Sequence, residues 1–387
     1  MFGQRAPLRD SIHSNDSPMQ TALRLALVLD PINLRTKAGG HAPMLARELL
    51  GLGHHVRGFG VPAAAIPHSA SDLPPGERGG LRGFRADAII AYDALSPSSV
   101  LGARAAYRAG VPLLLVEAAM PERGRPLRRA WNWFGRAFWG GYVRSKTAGV
   151  IALDPVAAEH AIEMGFEANL IRVLPQGVNV SQFRPGLLSS SLPSHRVFGR
   201  ILLYVGRLGV GRGVEVLIDA FARTVGQRLD WNLVLAGEGP LESALRARVD
   251  RLGVASRVHF LPRPQSDEIP GLMGSSTLLA VPATTDEVLG RQIPRAMACG
   301  LPVLASRRPR LAALVQDEEC GLLLESGDAE SWASGLMRAA GAPAKRRRWG
   351  ARAREIAVKR LSWDQVAVGF EEQIFSLRED ARMKSDD

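Results

Sequence analysis

Two arginines, Arg207 and Arg212, follow the apolar run from Arg200 to Gly206 and lead into a helical pattern that begins at Val214. A single arginine is by default a solvated surface charge, but a pair at the C-terminal end of a strand stands where open α/β sheets gather ligands. Guanidinium groups in that place suit an anion, and a phosphate above all, because they present it a planar fork of donors. Gly39 and Gly40 occupy a similar place near the start of the chain, after one apolar run and before a helix. Glycines there let backbone N–H groups approach an anion at a helix start, although a Gly-Gly loop before a helix is common in any α/β protein. Glu287 beside Asp286, with Gly290 after it, either complements the dipole of the next helix or contacts a ligand.

The net charge of +11 draws the protein toward anions, which include nucleotides, nucleic acid and lipid headgroups. No zinc-finger spacing, RNP-type aromatic strand or arginine-rich tail accompanies it, so nucleic acid is not the expected partner. Cys299 and Cys320 are too few for a disulfide framework or a four-ligand zinc site, and the histidines show no HExxH spacing, so no metal is expected and a reducing compartment is. Cys299 in AMACG reads as a small buried residue. The N-terminus has charge and proline where an export signal needs an apolar core, and no run reaches ~18 apolar residues. The chain is expected to be cytoplasmic.

These candidates are positioned by an alternation of short apolar strands and helices. LRLALVLD (Leu23 to Asp30), ADAIIAY (Ala86 to Tyr92), VPLLLVE (Val111 to Glu117) and AGVIALD (Ala148 to Asp154) read as buried parallel strands separated by helical patterns such as PMLARELLGLG. The segment Pro175 to His195 mixes proline, glycine and serine without period, as a linker does. The pattern restarts with RILLYVG, a helix over Val214 to Val225, WNLVLAG, RVHFL, STLLAVP and LPVLAS. The expectation is α/β: a flexible lead-in over 1–21, a Rossmann-like domain over 22–187, a second over 195–361, and a C-terminal amphipathic helix over 364–380 packed back on the first.

In order and spacing, GRLGVGRGVEVLIDAF, LAGEGP, RVHFLP, TTDEVLGRQIPRAMACGLPVLAS and CGLLL resemble the retaining family-four GT-B glycosyltransferases, the glycosyl transferases group 1. The first half is similar through its Gly-Gly loop before a helix ending GHHV and through LPQGVNVSQFRP, which looks like the family's interdomain segment; about residues 24 to 378 are accounted for. The resemblance implies the GT-B fold, two Rossmann-like doubly wound domains facing each other across a cleft that holds a nucleotide-diphosphate sugar. It places Arg207 and Arg212 at the leaving diphosphate, with arginine where lysine is usual at the second position. Gly39 and Gly40 meet the diphosphate from the opposite wall. Glu287, the first acid of a Glu-x7-Glu motif, contacts hydroxyls of the donor sugar, and Gly206, Leu289 and Gly290 border the donor. No Asp-x-Asp signature occurs in the body of the chain, so metal-independent chemistry without a cofactor is expected.

Three positions depart from the family pattern. The second acid of the motif, whose carboxylate accepts from the nucleotide ribose in the family, is Arg295, and a guanidinium accepts nothing; ligand contact and simple ion pairing are both open for it. Glu117, Ala118 and Ala119 stand where the family often carries a histidine near the reacting sugar, with Glu117 a candidate substitute. SRRPRLAAL (Ser306 to Leu314) replaces a glycine-rich turn and glutamate.

The implied function is retaining transfer of a sugar from a nucleotide-diphosphate donor to a hydroxyl acceptor in polysaccharide, glycolipid or other glycan biosynthesis. Arg295 and Ala118 favour the alternative, a catalytically inactive homologue acting as a binding or scaffold subunit. The segment Arg123 to Lys146 interleaves basic residues with Trp131, Trp133, Phe134, Phe138, Trp139 and Tyr142. Such a mixture either meets an anionic membrane surface at the inner face of the cell membrane or fills the first domain's core beneath solvated arginines. The run KRRRWGARAREIAVKR (Lys345 to Arg360) reads as the solvent face of a helix, a second basic surface toward a membrane.

Overall fold

Strands buried on both faces need no alternation of polar and apolar residues, and the apolar runs of this chain fold accordingly. The computed structural model describes residues 22–29, 40–60, 80–118, 135–224, 230–286 and 290–386. In the first half β1 (Arg24–Val28), β2 (His55–Phe59), β3 (Ala88–Tyr92), β4 (Leu113–Glu117), β5 (Gly149–Ala152) and β6 (Ile171–Val173) form a parallel sheet in the order β2-β1-β3-β4-β5-β6. Helices α1 (His41–Gly51), α2 (Gly80–Phe84), α3 (Pro97–Ala109), α4 (Gly141–Lys146) and α5 (Pro155–Glu163) accompany it, with one π-helical turn over Arg136–Gly140. Successive residues of β1 serve opposite faces: Leu25 and Leu27 pack with Leu45, Leu49 and Ile90, whereas Ala26 and Val28 pack with Ala103, Val143 and Ala161.

The second half repeats the plan with another order of strands. After α6 (Ser191–Ser194) come β7 (Arg200–Val205), α7 (Val214–Arg223), β8 (Trp231–Ala236), α8 (Glu242–Arg251), β9 (Val258–Leu261), α9 (Ile269–Gly274), β10 (Leu278–Val281), α10 (Gln292–Ala298), β11 (Val303–Ser306), α11 (Pro309–Ala312) and β12 (Gly321–Leu324). The sheet runs β12-β11-β10-β7-β8-β9, so the chain starts in the middle, builds to one edge and returns to build to the other. That is the Rossmann order, and its reversal falls between β7 and β10. In the first sheet the reversal falls between β1 and β3.

Helices α12 (Ala329–Gly341) and α13 (Pro343–Arg360) close the second domain, and α14 (Trp363–Asp386) returns to the first. Trp363, Val366, Phe370 and Ile374 of α14 enter the core formed by β1, α1 and β3. Polar contacts fix its register: His54 Nε2 lies 2.9 Å from Glu371, Arg172 2.9 Å from Glu372 and Arg378 3.0 Å from Asp87. The chain therefore crosses between domains twice, and the crossings are hydrogen-bonded to one another, Val178 N–H to Leu361 O at 2.8 Å and Trp363 N–H to Val178 O at 3.2 Å. Gly177 is required beside them, because a Cβ there would fall within the indole of Trp363.

The basic run of α13 is largely engaged inside its own domain. Arg346 is buried and donates to the carbonyls of Ala339 and Ala340. Arg354 donates to Val180, Phe183 and Ala298, while Lys345, Arg352 and Lys359 pair with Glu318, Glu319 and Glu355. Arg347, Arg348, Arg352, Lys359 and Arg360 form the expected solvent face, while Arg346 and Arg354 turn inward and Arg354 ties α13 to the interdomain linker.

Away from the linkers, α5 and α11 meet across the domains and share an ion pair. Asp154, after β5, caps α5 by accepting from Ala157 N–H at 2.9 Å, and its Oδ1 lies 3.1 Å from Nε of Arg310 at α11, after β11. Arg310 is only 1% exposed. The pair is within ion-pair distance but is not aligned as a hydrogen bond. It sets the C-terminal edges of the two sheets face to face. Asp154 accepts through its side chain at the start of α5, and loss of such a cap costs about 1 kcal/mol. Asp154→Ala is therefore expected to lower stability in urea denaturation by about 1 kcal/mol more than Asp154→Asn, which keeps a capping oxygen; equal effects of the two would show that the cap is not the source.

Candidate functional site

Loops at the C-terminal ends of β7, β8 and β10 share a small space at the second sheet's reversal point, and glycine makes that possible. Gly213, at φ +68, opens α7, and a Cβ on it would overlap the carbonyl oxygen of Pro282. A Cβ on Gly237 would overlap the carbonyl of Gly206, and one on Gly239 that of Leu208. Gly211, at φ +80, accepts from Thr284 N–H at 3.0 Å. The motifs GRLGVGRG and AGEGP are thus one backbone platform. Tyr204, whose phenol burial keeps protonated far above its ordinary range, donates to Arg207 O at 2.8 Å and fixes the start of the loop.

Arg207 and Arg212 project from this platform, the first exposed and the second half-buried, and neither forms an ion pair among the described residues. Gly290 is buried at φ +61, where a Cβ would lie 2.7 Å from Leu311. Glu287 and Leu289 lie outside the described residues. Asp286, next to them, is held by a two-pronged pairing with Arg308, Nε to Oδ1 at 3.0 Å and Nη2 to Oδ2 at 2.5 Å. Arg295, on α10, stacks its guanidinium 5.3 Å from the Phe183 ring and reaches the Gln292 amide oxygen at 3.5 Å. Burial, and after it the charge of Arg291, lowers its pKa. It finds no carboxylate among the described residues.

In the first domain the reversal point is lined by α1, β3 and β4. Gly39 lies outside the described residues. Gly40 is exposed at the start of α1, in right-handed backbone, with nothing within 4 Å of where a Cβ would stand. His41, which motif reasoning overlooked, is fully buried. Its Nδ1 lies 3.0 Å from the Tyr92 hydroxyl, and its ring meets Trp363 edge-on at 5.2 Å. Burial pushes its pKa down to about 3, so it is neutral. The only advance signal for it was its place directly after the Gly-Gly pair.

Glu117, at the end of β4, is completely buried, and Oε1 accepts from Ala94 N–H at 2.6 Å. Burial, reinforced by Asp93, raises its pKa to about 8 against the opposing pull of the Ala94 N–H. The expectation of a group beside the reacting sugar meets a carboxyl turned into the β3 turn, where it holds Ala94 behind Asp93 and its left-handed backbone at φ +64.

The arrangement is the two-domain GT-B architecture: facing Rossmann-type sheets, joined by two linker crossings, with two arginines that have no ion pair among the described residues on a glycine platform at the second sheet's reversal point. The sequence profile of Glycosyl transferases group 1 matches residues 196–356, and that of the Glycosyl transferase 4-like domain matches residues 35–177. The chain belongs to the group 1 glycosyl transferases. It is similar to D-inositol 3-phosphate glycosyltransferases, 28% identical over 286 residues to that of Segniliparus rotundus (68% of this chain, 60% of the relative) and 30% identical over 269 residues to that of Acidothermus cellulolyticus (62% and 57%). The chain thus spans about three-fifths of the length of these relatives. Among solved structures, Anabaena HepE in complex with UDP superposes with a TM-score of 0.72 at 21% identity, covering 91% of this chain and 99% of that one. A Rickettsia africae glycosyltransferase gives 0.74 at 14% identity, with 92% and 99% covered. At these identities the structural likeness speaks for the fold alone.

Two substitutions separate platform glycines from ordinary ones. Gly213→Ala forces both an overlap with Pro282 and a left-handed alanine, and is expected to lower stability by about 2–4 kcal/mol. Gly209→Ala meets nothing nearer than Arg207 Nε at 3.6 Å and should stay within about 0.5 kcal/mol on the same urea curves. For Glu117 the folded state holds its proton from the ordinary carboxylate range up to about pH 8 while the unfolded chain has released it. Its contribution to stability is therefore full below about pH 4.5 and is lost as pH rises to about 8. Glu117→Gln is expected to flatten the decline in melting temperature across that window, and an unchanged slope would remove Glu117 as its cause.

Proposed function

We propose that this protein transfers a sugar, with retention, from a nucleotide-diphosphate donor to a hydroxyl acceptor in glycan biosynthesis. The observation that carries this reading is the placement of Arg207 and Arg212, two cations without an ion-pair partner among the described residues, on the glycine platform at the reversal point of a Rossmann sheet. Family membership and the match to a fold solved with UDP in Anabaena HepE support it.

In this mechanism the bond between the anomeric carbon and the phosphate oxygen breaks while the acceptor oxygen bonds to the same face of that carbon. The acceptor's proton passes to the departing phosphate oxygen, so no enzymatic nucleophile is needed. Arg207 and Arg212 stabilise the charge that develops on the diphosphate. Gly39 and Gly40 offer backbone N–H groups from the other wall, Gly206, Leu289 and Gly290 border the donor, and Glu287 holds the sugar's hydroxyls. Arg295 replaces an accepting carboxylate by a donor, so it selects for acceptor atoms on the nucleotide. Because arginines supply the positive charge, chelators should leave turnover intact, and no cofactor beyond the donor is required. We place the acceptor side of the first domain at an anionic membrane surface. Among the described residues no helix is long and apolar enough to cross a membrane.

The test is a thermal-shift screen against UDP, GDP and ADP sugars and the free diphosphates, with Arg212→Ala in parallel. A ligand at ~100 times its Kd stabilises the folded state by ~2.7 kcal/mol. A shift selective for one nucleotide and absent from Arg212→Ala is expected. Shifts with none of them would turn the assignment to a scaffold subunit.

A further inference from the structure

The back of the first domain carries a feature that the donor cleft does not use. Helices α3 and α4 pack side by side, and a cavity of about 280 Å³ opens between them, lined by Arg104, Tyr107, Arg108 and Tyr142. It lies toward the C-terminal end of α3 and near the start of β5, at the edge of the sheet opposite the donor loops. Neither helix contains an acidic residue. Arg104 and Arg108 form no ion pair among the described residues, and the Lys146 ammonium rests 3.8 Å from the centre of the Tyr107 ring rather than on a carboxylate. The contrast with α13 is direct, since most cations of that helix are tied to acids or carbonyls within their own domain.

Apolar groups stand around the same cations. Leu101 is 55% exposed, Tyr107 65% and Phe138 71%. Leu101, Arg104 and Arg108 follow helical spacing and share one face of α3. Exposed apolar side chains scattered singly need no explanation, but a ridge that combines them with guanidinium groups that form no ion pair among the described residues has the composition of a membrane-interface surface. A free phosphate or a nucleic acid would satisfy the arginines and leave Leu101 and Phe138 in water. A bilayer boundary satisfies both. The cavity is at the small end of ligand clefts, which run about 300–1,000 Å³, so it suits a headgroup fragment and not a whole lipid or an oligosaccharide.

We propose that this cavity is an anion site that takes the phosphate of an anionic phospholipid headgroup, with Leu101, Tyr107 and Phe138 entering the headgroup boundary around it. The site deepens the membrane placement proposed above and rests on that reading, but it requires no bound donor. It also relocates the basic contribution: Arg104 and Arg108 come from α3, outside the segment Arg123 to Lys146 in which the sequence interleaves aromatics and cations.

The experiment is flotation of the full chain with vesicles of phosphatidylcholine alone or mixed with phosphatidylglycerol, at low and high salt. Binding is expected only with phosphatidylglycerol, and it should fall with salt. The double variant Arg104→Gln/Arg108→Gln should bind about thirtyfold more weakly, two cations at ~1 kcal/mol each with ~1.4 kcal/mol per decade. Phe138→Ala should weaken binding at both salt levels, and the double variant should keep the wild-type melting temperature and any nucleotide-induced shift. Unchanged flotation of the double variant overturns the site, as does failure of the wild type to float. Stabilisation by inorganic phosphate through Arg104 and Arg108 without vesicle binding also overturns the lipid assignment. Loss of nucleotide shifts with flotation intact would strike the sugar-transfer reading and leave this one standing.

Discussion

Three loops meet at the C-terminal edge of the second sheet with no room between their backbones for a side chain. Gly213 against Pro282, Gly237 against Gly206 and Gly239 against Leu208 are contacts that a single methyl group would break. The consequence is electrostatic as well as steric. Backbone packed this closely fixes where the chain leaves β7 and enters α7, so Arg207 and Arg212 emerge from a rigid ledge and not from a pliable loop. A preorganised cation stabilises developing charge without first having to be gathered into place, and the glycines are what preorganise it here.

The segment Ser306 to Leu314 braces the surroundings of the same ledge. Arg308 grips Asp286 with both prongs of its guanidinium, which anchors the loop ahead of Gly290. Arg310 reaches across to Asp154 in the other domain. A glycine-rich turn could do neither. The segment thus supplies two ion pairs, one to Asp286 and one between the domains. Buried ion pairs gain little net stability but lose much when broken, which makes them better at specifying one arrangement than at strengthening it.

Both parallel sheets were legible in the sequence wherever strands are buried on both faces, because AIIAY, LLLVE and WNLVLA can be little else. The edges were not. HVRGF, which forms β2, and IRV, which forms β6, carry polar or exposed positions because only one neighbour covers them, and a short half-polar run has no period to detect. Of the site, Arg207, Arg212, Gly206 and Gly290 could be placed on one edge from their motifs alone. His41 and Tyr92 could not, since their pairing exists only after α14 returns over β3 and α1. Glu117 was visible as a carboxylate at a strand end, but its burial depends on the turn at Asp93, a residue with no motif of its own.

The charge states of these groups divide the work between the two walls. Burial leaves His41 neutral and keeps the proton on Glu117 up to about pH 8. His41 and Glu117, on the first wall, thus carry no charge at neutral pH. In the second wall Arg207, Arg212 and Arg295 retain theirs without carboxylates to cancel them among the described residues, and Arg295 does so although burial works against it. Among the described residues this places cations that attract anions on the second wall. Among the described residues α13 pairs part of its own share of the net +11, while Arg207 and Arg212 on the second wall and Arg104 and Arg108 on α3 form no ion pair.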